Sequence, residues 1–434
     1  MTKVRIGLIG YGVVGRGFVA AIKKNRAVIY DKTGIELELS AVADLNIASS
    51  YDQFLEDVPF KTRDAEELVT SPNIDIVVEL IGGYTVAKEF ITKAIANKKY
   101  VVTANKALLA QFGREIFSQA DEAGVGVGFE ASCGGGIPLI SVLKEDLAAN
   151  NILEVCAIIN GTANFILTRM TYEGATYETA LAEAKTLGYA EADPTFDVEG
   201  IDSAHKITLL SSIAFGTWVD FKKVYTEGIT KISTVDINFA KELGCTIKLL
   251  AIGKRTEKGI DVRVHPTIIS LKHRLAAVND SFNAVLVKGD IVGETFHLGR
   301  GAGSLPTGSA VAADVIKLSK EIVNRTAPRI PPLGFLSPKE LNLTDIKDVE
   351  SEYYLRFETE DTPGVLSGVA GVLAKNSVSI KSALQRPYEN ELQIPMVFLT
   401  HTTTGRQIDD CLKEIIRFPF IKGEPVAIRV EEEG

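Results

Sequence analysis

Residues 4–22 read VRIGLIGYGVVGRGFVAAI, and this stretch decides the fold of the N-terminal part. Its first six residues are mostly apolar and predict a buried parallel strand, and the residues after Gly15 have the apolar spacing of a helix. Between them stands the order Gly10-Tyr11-Gly12-Val13-Val14-Gly15. Glycines at these positions let the chain turn tightly, let the backbone approach a pyrophosphate and let helix and strand pack closely. Residues 10–15 therefore predict a dinucleotide site.

The end of the second predicted strand, residues 36–43, bears on which dinucleotide binds. Asp44 follows this strand, and a carboxylate there can hydrogen-bond the ribose 2′- and 3′-hydroxyls but repels a 2′-phosphate. The spacing from Gly15 to Asp44 is longer than usual because residues 23–34 lengthen the connection. We expect NAD to be slightly favoured, and the use of NADP stays open.

Strands and helices continue to alternate after this point. The pattern predicts strands at 74–80, 100–103 and 126–130 and a helix at 86–96. This order indicates a parallel sheet, whose ligands gather at the carboxyl ends of its strands. Thr103-Ala104-Asn105-Lys106 lies at one such end. A helix dipole disfavours a lysine at its N-terminus, so Lys106 is better explained by a functional role than as a solvated surface lysine.

The segment 184–206 reads AKTLGYAEADPTFDVEGIDSAHK and crowds five carboxylates into one turn-rich stretch, at Glu191, Asp193, Asp197, Glu199 and Asp202. Asp202 and Lys206 lie four residues apart, on one face of a helix. Such a pair is usually solvated and worth a few tenths of a kcal/mol. Because the helix continues as the apolar run 207–215, we expect Lys206 to be partly buried and held in direction by Asp202.

This segment resembles the signature of homoserine dehydrogenases. The matching positions are Ala184, Gly188-Tyr189, Asp193-Pro194, Asp197-Val198, Gly200, Asp202 and Lys206. Thr103 to Lys106 is similar to a second element of that family, whose lysine lies beside the substrate and the nicotinamide. The resemblance implies interconversion of L-homoserine and L-aspartate 4-semialdehyde with NAD or NADP, a step of threonine, methionine and isoleucine biosynthesis.

Aldehyde reduction leaves a growing negative charge on oxygen, which needs a proton or a fixed cation nearby. We expect Lys206 to donate the proton in reduction and accept it in oxidation, with Lys106 assisting. Glu191 and Asp197 are candidates for the substrate ammonium, and the family resemblance favours Glu191. His205 is a rival acid, but neighbours on a helix point about 100° apart. We therefore assign His205 either to packing or to the support of residues that contact the substrate.

A run of glycines follows the predicted strand 126–130, at residues 134–136. Glu130 with carbonyls from Cys133, Gly135 and Ile137 resembles, position by position, the site for a monovalent cation, Na⁺ or K⁺, in the same family. The residues themselves indicate a hinge between domains equally well, because oxygen ligands do not name a metal. The turn Asn160-Gly161-Thr162-Ala163-Asn164 leaves two roles open as well, substrate binding and the capping of a helix.

A second glycine-rich loop, residues 299–307, precedes a helix predicted at 309–324. A loop before a helix start suits an anion of cofactor or substrate, and a mobile surface loop explains the pattern as well. In the family that the chain resembles, the loop with Gly303 closes over the cofactor. The following helix packs on the dinucleotide domain there.

The C-terminal part is set apart by a proline-rich stretch, residues 327–334, which predicts a stiff connector. Strands at 353–358, 378–385, 392–401 and 426–431 and helices at 363–376 and 407–418 follow the βαββαβ order of a ferredoxin-like fold. The turn 361–366 resembles that of ACT domains, which bind amino acids at subunit interfaces. In one interpretation this turn binds an amino-acid effector. In the other it only starts a helix.

Together these patterns predict an α/β protein with a Rossmann-type dinucleotide-binding domain, an α+β catalytic and dimerisation domain and a C-terminal ferredoxin-like ACT domain. The predicted divisions are 1–137, 138–308, a helix 309–326 returning to the first domain, a linker 327–350 and 351–434. A chain of 434 residues is too long for one core. We expect a homodimer or a homotetramer.

Composition excludes several classes of function. The chain has 47 basic and 56 acidic residues, a net charge of −9, without a basic run. A nucleic-acid partner is not expected. No apolar stretch approaches the ~20 residues that span a bilayer, and Met1 leads almost directly into a strand, so we expect a cytoplasmic protein. The 4 cysteines should be reduced, and no histidine spacing indicates zinc.

Two rival hypotheses for the function stay open. The protein could be a catalytically silent sensor of nucleotide and amino acid, or another amino-acid oxidoreductase.

Overall fold

The computed structural model describes residues 2–47, 52–326, 330–385 and 393–431. Its N-terminal part is a sheet of 6 strands in the order β3-β2-β1-β4-β5-β6, all paired in parallel. The strands are β1 (Thr2–Ile9), β2 (Ile35–Ala43), β3 (Phe60–Thr62), β4 (Ile76–Glu79), β5 (Tyr100–Thr103) and β6 (Val127–Gly128). The helices are α1 (Val13–Lys24), α2 (Arg26–Thr33), α3 (Glu66–Thr70), α4 (Thr85–Ala96) and α5 (Lys106–Ala123).

This sheet confirms the predicted Rossmann-type α/β fold of the N-terminal part. The predicted strand 126–130 is wrong at its end. The strand β6 ends at Gly128, and the chain then enters a 3₁₀ turn, Glu130–Ser132. In this turn the Glu130 amide donates a hydrogen bond to Asp314 Oδ2 at 2.7 Å, and it does not pair with a neighbouring strand.

The middle part builds a second sheet with helices on it. Its strands are β7 (Ile152–Ile158), β8 (Tyr225–Thr226), β9 (Cys245–Thr256), β10 (Gly259–Ser270), β11 (Phe282–Gly289) and β12 (Gly293–Arg300). Its helices are α6 (Gly161–Glu173), α7 (Tyr177–Thr186), α8 (Thr195–Val198), α9 (Ile201–Phe215) and α10 (Thr234–Glu242). Every residue of α9 from Asp202 to Phe215 is buried, which confirms that its apolar run does not face water.

Helix α11 (Ser304–Asn324) connects this part back to the first sheet. Glycines permit its close approach to α1, since a Cβ on Gly17 would collide with the carbonyl of Ser304, and a Cβ on Gly308 with the backbone of Gly17. The helix starts five residues before the predicted position 309, because the chain turns helical directly after Gly303. The predicted domain division at residue 308 therefore falls inside a helix.

The C-terminal part has the predicted βαββαβ order with one added short strand. Its elements are β13 (Glu350–Glu360), α12 (Val365–Lys375), β14 (Ile380–Gln385), β15 (Gln393–Thr400), β16 (Thr403–Thr404), α13 (Gly405–Ile415) and β17 (Ile421–Glu431). Residues 327–329 of the predicted linker, 386–392, which include the predicted start of a strand at Leu392, and 432–434 lie outside the described residues.

The middle and C-terminal strands form one continuous sheet, which the sequence did not predict. β10 pairs in parallel with β17 from Thr267 opposite Arg429 to Ile269 opposite Glu431. The order is β12-β11-β7-β9-β10-β17-β13-β15-β14, with β8 on β10 and β16 on β13, so 11 strands are joined. The C-terminal module is thus hydrogen-bonded to the middle part and is not a loosely tethered unit.

A buried ion pair also connects the middle part to the C-terminal module. Arg356 on β13 donates to both oxygens of Asp236 on α10, Nε to Oδ1 at 2.6 Å and Nη2 to Oδ2 at 3.2 Å. The Tyr354 hydroxyl donates to the same carboxylate at 3.1 Å. Asp236 is fully buried, so its charge depends on these donors.

All 4 cysteines are free, as predicted, and Cys133, Cys156 and Cys411 are buried. Among the described residues, no helix is long and apolar enough to cross a membrane.

Asp236→Ala should lower the free energy of unfolding by about 3–5 kcal/mol, because it removes the buried partner of Arg356 and leaves that charge only its pair with the less buried Glu358. Urea denaturation followed by circular dichroism measures this change. The matched control is Asp348→Ala, which breaks the exposed pair of Asp348 with Arg406 and should change stability little. Equal losses in the two variants would contradict the importance of the buried pair.

Candidate active site

One buried carboxylate holds two lysines from different parts of the fold. Asp202, in the first turn of α9, lies with Oδ2 2.7 Å from Lys206 Nζ and with Oδ1 3.2 Å from Lys106 Nζ. Lys206 is on the same helix face, as its spacing predicted, whereas Lys106 begins α5 at the carboxyl end of β5. The structure thus brings together the three residues that the sequence nominated as catalytic.

The charges at this site fix its protonation. Burial alone raises the pKa of Asp202, but the charges of Lys206 and Lys106 outweigh it and hold the pKa well below the usual range. In return, the charge of Asp202 raises the pKa of Lys106 above that of an ordinary lysine. The carboxylate is therefore ionised at neutral pH, with a charged Lys106 beside it.

The Lys206 ammonium is nearly immobilised. It is 8% exposed and donates to Asp202 and to the main-chain carbonyl of Ile159, at 2.6 Å. An ammonium has three N–H donors, so these two bonds leave one for a ligand. Lys106 is more open, with a third of its side chain exposed and Asp202 as its ion-pair partner.

Asn160 connects the acidic residues of the site. Its side-chain carbonyl caps α6 by accepting from the Ala163 amide at 2.8 Å. Its amide nitrogen donates to Asp197 Oδ1 at 2.7 Å and to Asp202 Oδ2 at 2.9 Å. The residue therefore has the capping role, and it also ties Asp197 to the lysine pair. Burial raises the pKa of Asp197.

Glu191 lies apart from this cluster. It is exposed on the loop before α8, and within the described parts of the chain it forms no ion pair or side-chain hydrogen bond. Its carboxylate is consequently free to accept from a ligand. The structure does not bring it into contact with the lysines.

His205 has the packing position that its direction on α9 predicted. Its ring stacks between Phe196 and Phe221, with centroids 5.4 and 4.2 Å away. Neither ring nitrogen has a hydrogen-bond partner among the described residues. Burial lowers the pKa of His205 to about 4, so the ring is neutral near pH 7.

The turn after β1 has the geometry that a dinucleotide requires. Gly10 has φ +97°, and a Cβ there would lie 2.8 Å from the backbone of Leu80, whereas one on Gly15 would collide with the Gly10 carbonyl. A Cβ on Gly12 would meet nothing within 4 Å, so this face of the turn is open. The residues present fit a pyrophosphate at the start of α1.

Asp44 belongs to the same turn. Its Oδ2 accepts from the Tyr11 amide at 2.7 Å and its Oδ1 from the Asn46 amide at 2.8 Å. Tyr11 is itself buried, with its hydroxyl 2.6 Å from Asp52. The carboxylate is thus fixed at the end of β2, where a ribose would lie.

The second glycine-rich loop meets the first one. Gly303, with φ +122°, precedes α11, and the next residue, Ser304, donates its hydroxyl to the Val13 carbonyl at 2.6 Å. Val13 is exposed, whereas Val14 is partly buried against the core of the first sheet. Both loops therefore border the start of α1, so the loop of Gly303 is not isolated on the surface.

Glu79 is a residue of this region that the sequence analysis missed. It is fully buried at the end of β4, where it accepts from the Thr103 hydroxyl at 2.6 Å and from the amides of Ile81 and Gly82. Burial raises its pKa. The Thr103 hydroxyl is thus occupied within the protein. An acidic residue at the carboxyl end of a parallel strand is the signal that could have revealed Glu79.

The side chain and the main chain of the predicted cation loop differ in how well they suit a metal ion. Both carboxylate oxygens of Glu130 are occupied by backbone amides, Oε1 by Leu139 at 2.6 Å and Ile140 at 2.8 Å, and Oε2 by Ser141 at 2.8 Å. The side chain therefore does not fit a free metal ligand.

The main chain of this loop fits a cation better. Within the described chain, the carbonyls of Cys133, Gly135 and Ile137 accept no hydrogen bond from backbone or side chains. Burial raises the pKa of the Cys133 thiol to about 12. The described residues contain no group of three or more His, Cys, Asp or Glu side chains that could hold a metal ion.

Three family models match the chain. Residues 138–316 match the model described as homoserine dehydrogenase, residues 10–130 match its NAD binding domain, and residues 353–419 match the ACT domain.

Similarity to individual proteins extends over the full length. The homoserine dehydrogenase of Pseudomonas aeruginosa is 44% identical over 436 residues, covering 100% of both chains. A crystal structure of a homoserine dehydrogenase from Thiobacillus denitrificans has a TM-score of 0.94 at 43% identity, covering 100% of this chain and 99% of that one. A hyperthermophilic archaeal homoserine dehydrogenase mutant in complex with NADPH has a TM-score of 0.62 at 28% identity, covering 73% and 98%.

Asp202→Asn should lower the pKa of Lys106, because the negative charge that favours its ammonium form is removed while the desolvation remains. In the wild type, the stability contributed by this raised pKa is present below about pH 10.4 and is lost as the pH rises through the folded-state pKa of Lys106. Nuclear magnetic resonance titration of ¹³C-labelled lysines measures the shift. Asp193→Asn, in the exposed loop nearby, is the control, and an unchanged Lys106 pKa in Asp202→Asn would refute the pairing.

Proposed function

The chain belongs to the homoserine dehydrogenase family, and from this premise we propose which of its residues perform the reaction. The family's reaction interconverts L-homoserine and L-aspartate 4-semialdehyde with a nicotinamide dinucleotide. The full-length similarity supports neither a catalytically silent sensor nor another amino-acid oxidoreductase. The observation that carries the assignment of roles is the buried Asp202 carboxylate between Lys106 and Lys206.

Lys206 is proposed as the acid and base at the substrate oxygen. When bound, the nicotinamide supplies or accepts the hydride. In reduction, negative charge develops on the aldehyde oxygen, and in this proposal the third N–H of Lys206 donates the proton that makes the hydroxyl. In oxidation, the neutral amine of Lys206 takes that proton back. The bonds from its other two N–H groups, to Asp202 and Ile159, fix the direction of transfer.

Lys106 assists at the same oxygen. Its charge, secured by Asp202, polarises the carbonyl and favours the developing negative charge. Lys106 starts α5 at the carboxyl end of β5, where a parallel sheet places its ligands, and we propose that it faces both cofactor and substrate. Thr103 contributes to cofactor binding through its main chain in this proposal, since its hydroxyl is bonded to Glu79.

The substrate ammonium is assigned to Glu191, with Asp197 beside it. The Glu191 carboxylate is exposed and has no partner in the described chain, so a charged amine can bind it without breaking another contact. Asp197 already accepts from Asn160 and is partly buried. Asp197 therefore serves to shape the acidic side of the site more than to hold the amine alone.

Cofactor choice is proposed to favour NAD slightly. Residues 10–15 and Gly303 surround the start of α1, and the fixed carboxylate of Asp44 suits the ribose hydroxyls of NAD. The archaeal relative in complex with NADPH supports the use of NADP within the family, so we propose that this chain accepts both.

Several broader features complete the proposal. Main-chain carbonyls of Cys133, Gly135 and Ile137 would hold Na⁺ or K⁺, with Glu130 ordering their loop through its amide bonds. The ACT module would bind an amino-acid effector near Gly364. A homodimer or homotetramer in the cytoplasm is the expected state.

Lys206→Ala should lower kcat at least about 100-fold while the dissociation constant of NAD stays nearly unchanged, because the acid is lost but the β1–α1 turn is intact. Lys206→Arg should be similarly slow, since a guanidinium keeps the charge but does not release its proton at working pH. Absorbance of the reduced nicotinamide measures turnover, and fluorescence titration measures cofactor binding.

The control for these variants is Lys241→Ala, at an exposed lysine of α10, which should retain wild-type turnover. A Lys206→Ala enzyme with most of its activity would refute the proton-transfer role.

Asp44→Ala should weaken NAD binding more than NADP binding, because the lost carboxylate binds ribose hydroxyls but repels a 2′-phosphate. Dissociation constants of both reduced cofactors, measured by fluorescence, give the ratio. Equal weakening of the two cofactors would show that Asp44 acts only by holding the Tyr11 amide.

A further inference from the structure

The side chain of Asn160 joins three helices of the candidate active site and is 5% exposed. Its carbonyl accepts from the Ala163 amide in the first turn of α6, and its amide nitrogen donates to Asp197 on α8 and to Asp202 on α9. An asparagine amide has two N–H donors, so both are used inside the protein. Asn160 therefore offers no free donor to a ligand, and it influences a reaction through the two carboxylates.

The cap of α6 determines which way the Asn160 amide group points. Asn160 has the extended backbone of an N-cap residue, with φ −124° and ψ 111°, and its side-chain oxygen must face a free N–H of the helix. The NH₂ group is therefore directed to the opposite side, where the two carboxylates lie. A rotation of the amide by 180° would lose the cap and would turn a carbonyl oxygen towards two negative charges.

The main chain beside Asn160 holds the other member of the ion pair. The Ile159 carbonyl accepts from Lys206 Nζ at 2.6 Å, and Lys206 donates to Asp202 Oδ2 at 2.7 Å. The Asn160 amide donates to the same Oδ2 atom at 2.9 Å. Two consecutive residues thus contact both members of the pair, so the position of the pair depends on the start of α6.

The charges around Asn160 show why a neutral donor is needed there. Burial raises the pKa of Asp197, the bond from Asn160 lowers it, the charge of Asp202 raises it and that of Lys206 lowers it. Lys106 faces the two carboxylates from α5. Among the described residues, no other neutral side chain donates a hydrogen bond to both carboxylates. Asn160 thus favours the ionised form of each without adding a charge.

We propose that Asn160 is a positioning residue of the reaction, which holds Asp197 and Asp202 apart as two carboxylates so that the substrate ammonium and the lysine pair keep one fixed geometry. The residue touches neither substrate nor cofactor in this proposal. The expected effect on turnover rests on the proposed function of Lys206 and Asp197. The expected effect on the titration of Asp197 does not, because it is measured without substrate.

Asn160→Ser separates the two roles of the side chain. Serine caps a helix about as well as asparagine, but its hydroxyl is too short to reach both carboxylates. The kcat for L-homoserine oxidation should fall at least about tenfold, because the acid–base pair is no longer held in one position, while the dissociation constant of NAD stays unchanged. Thr176→Ala is the matched control. It removes the N-cap of α7 at an exposed position and should keep wild-type turnover.

The pH profile distinguishes positioning from a purely structural role, which would lower turnover equally at every pH. Without the bond from Asn160, the pKa of Asp197 rises, so this carboxylate takes up a proton at higher pH. The acidic limb of kcat/KM should therefore move to higher pH in Asn160→Ser and stay in place in Thr176→Ala. Nuclear magnetic resonance titration of ¹³C-labelled aspartates, with Asp197→Asn to identify the signal, measures the same shift without turnover.

Asn160→Asp also keeps the cap, so it tests the proposal even if Asn160→Ser does not fold. It places a third carboxylate against the other two, which favours proton uptake by the group, and it should be slower than Asn160→Ser. The proposal is overturned if either folded variant has wild-type kcat, or if the acidic limb and the Asp197 titration do not move.

Failure of the proposed function gives a different result. A fully active Lys206→Ala enzyme, or a wild type that does not oxidise L-homoserine, would contradict the proposed function. In both cases the Asp197 titration still decides whether Asn160 keeps that carboxylate ionised.

Discussion

The candidate active site depends on a single buried carboxylate that two ammonium groups share. Asp202 is 6% exposed, and an unpaired charge at that depth would cost several kcal/mol, so the carboxylate persists only because Lys206 and Lys106 neutralise it. The dependence is mutual, since the lysines are held in one direction by the same group. The cluster of Asp202, Lys106 and Lys206 therefore determines the chemistry, the local geometry and the local stability of the site. A change in any one of the three residues should alter the position or the pKa of the other two.

The architecture explains why these residues meet. Lys106 lies at the carboxyl end of the parallel sheet, the same end as the β1–α1 turn, whereas Asp202 and Lys206 come from a helix packed on the antiparallel strands. Helix α11 holds the two parts together by its close approach to α1 at Gly17 and Gly308. The parallel pairing of β10 with β17 then attaches the C-terminal module to the same frame. The NAD-binding domain, the middle part and the ACT module thus share one continuous structure.

Local patterns in the sequence predicted much of this. The glycine order after β1, the four-residue spacing of Asp202 and Lys206 and the βαββαβ order of the last module each depend on short-range rules, and each agrees with the structure. The contacts that were missed are long-range. The hydrogen-bonded residues Asn160 and Asp202 are 42 positions apart in the sequence, and the paired residues Arg356 and Asp236 are 120 apart. No rule of local spacing predicts such pairs. The early start of α11 was missed because its first turn contains Pro306, which reads as a loop although proline is accepted there.

The claim that the Lys206 amine exchanges a proton with the substrate oxygen is tested most directly by a crystal structure of the complex with L-homoserine and an unreactive nicotinamide dinucleotide analogue. The account predicts that the substrate hydroxyl oxygen lies about 3 Å from Lys206 Nζ, with the substrate ammonium at Glu191. A hydroxyl oxygen beyond hydrogen-bond distance of Lys206, contacting a different acid or base, would contradict it.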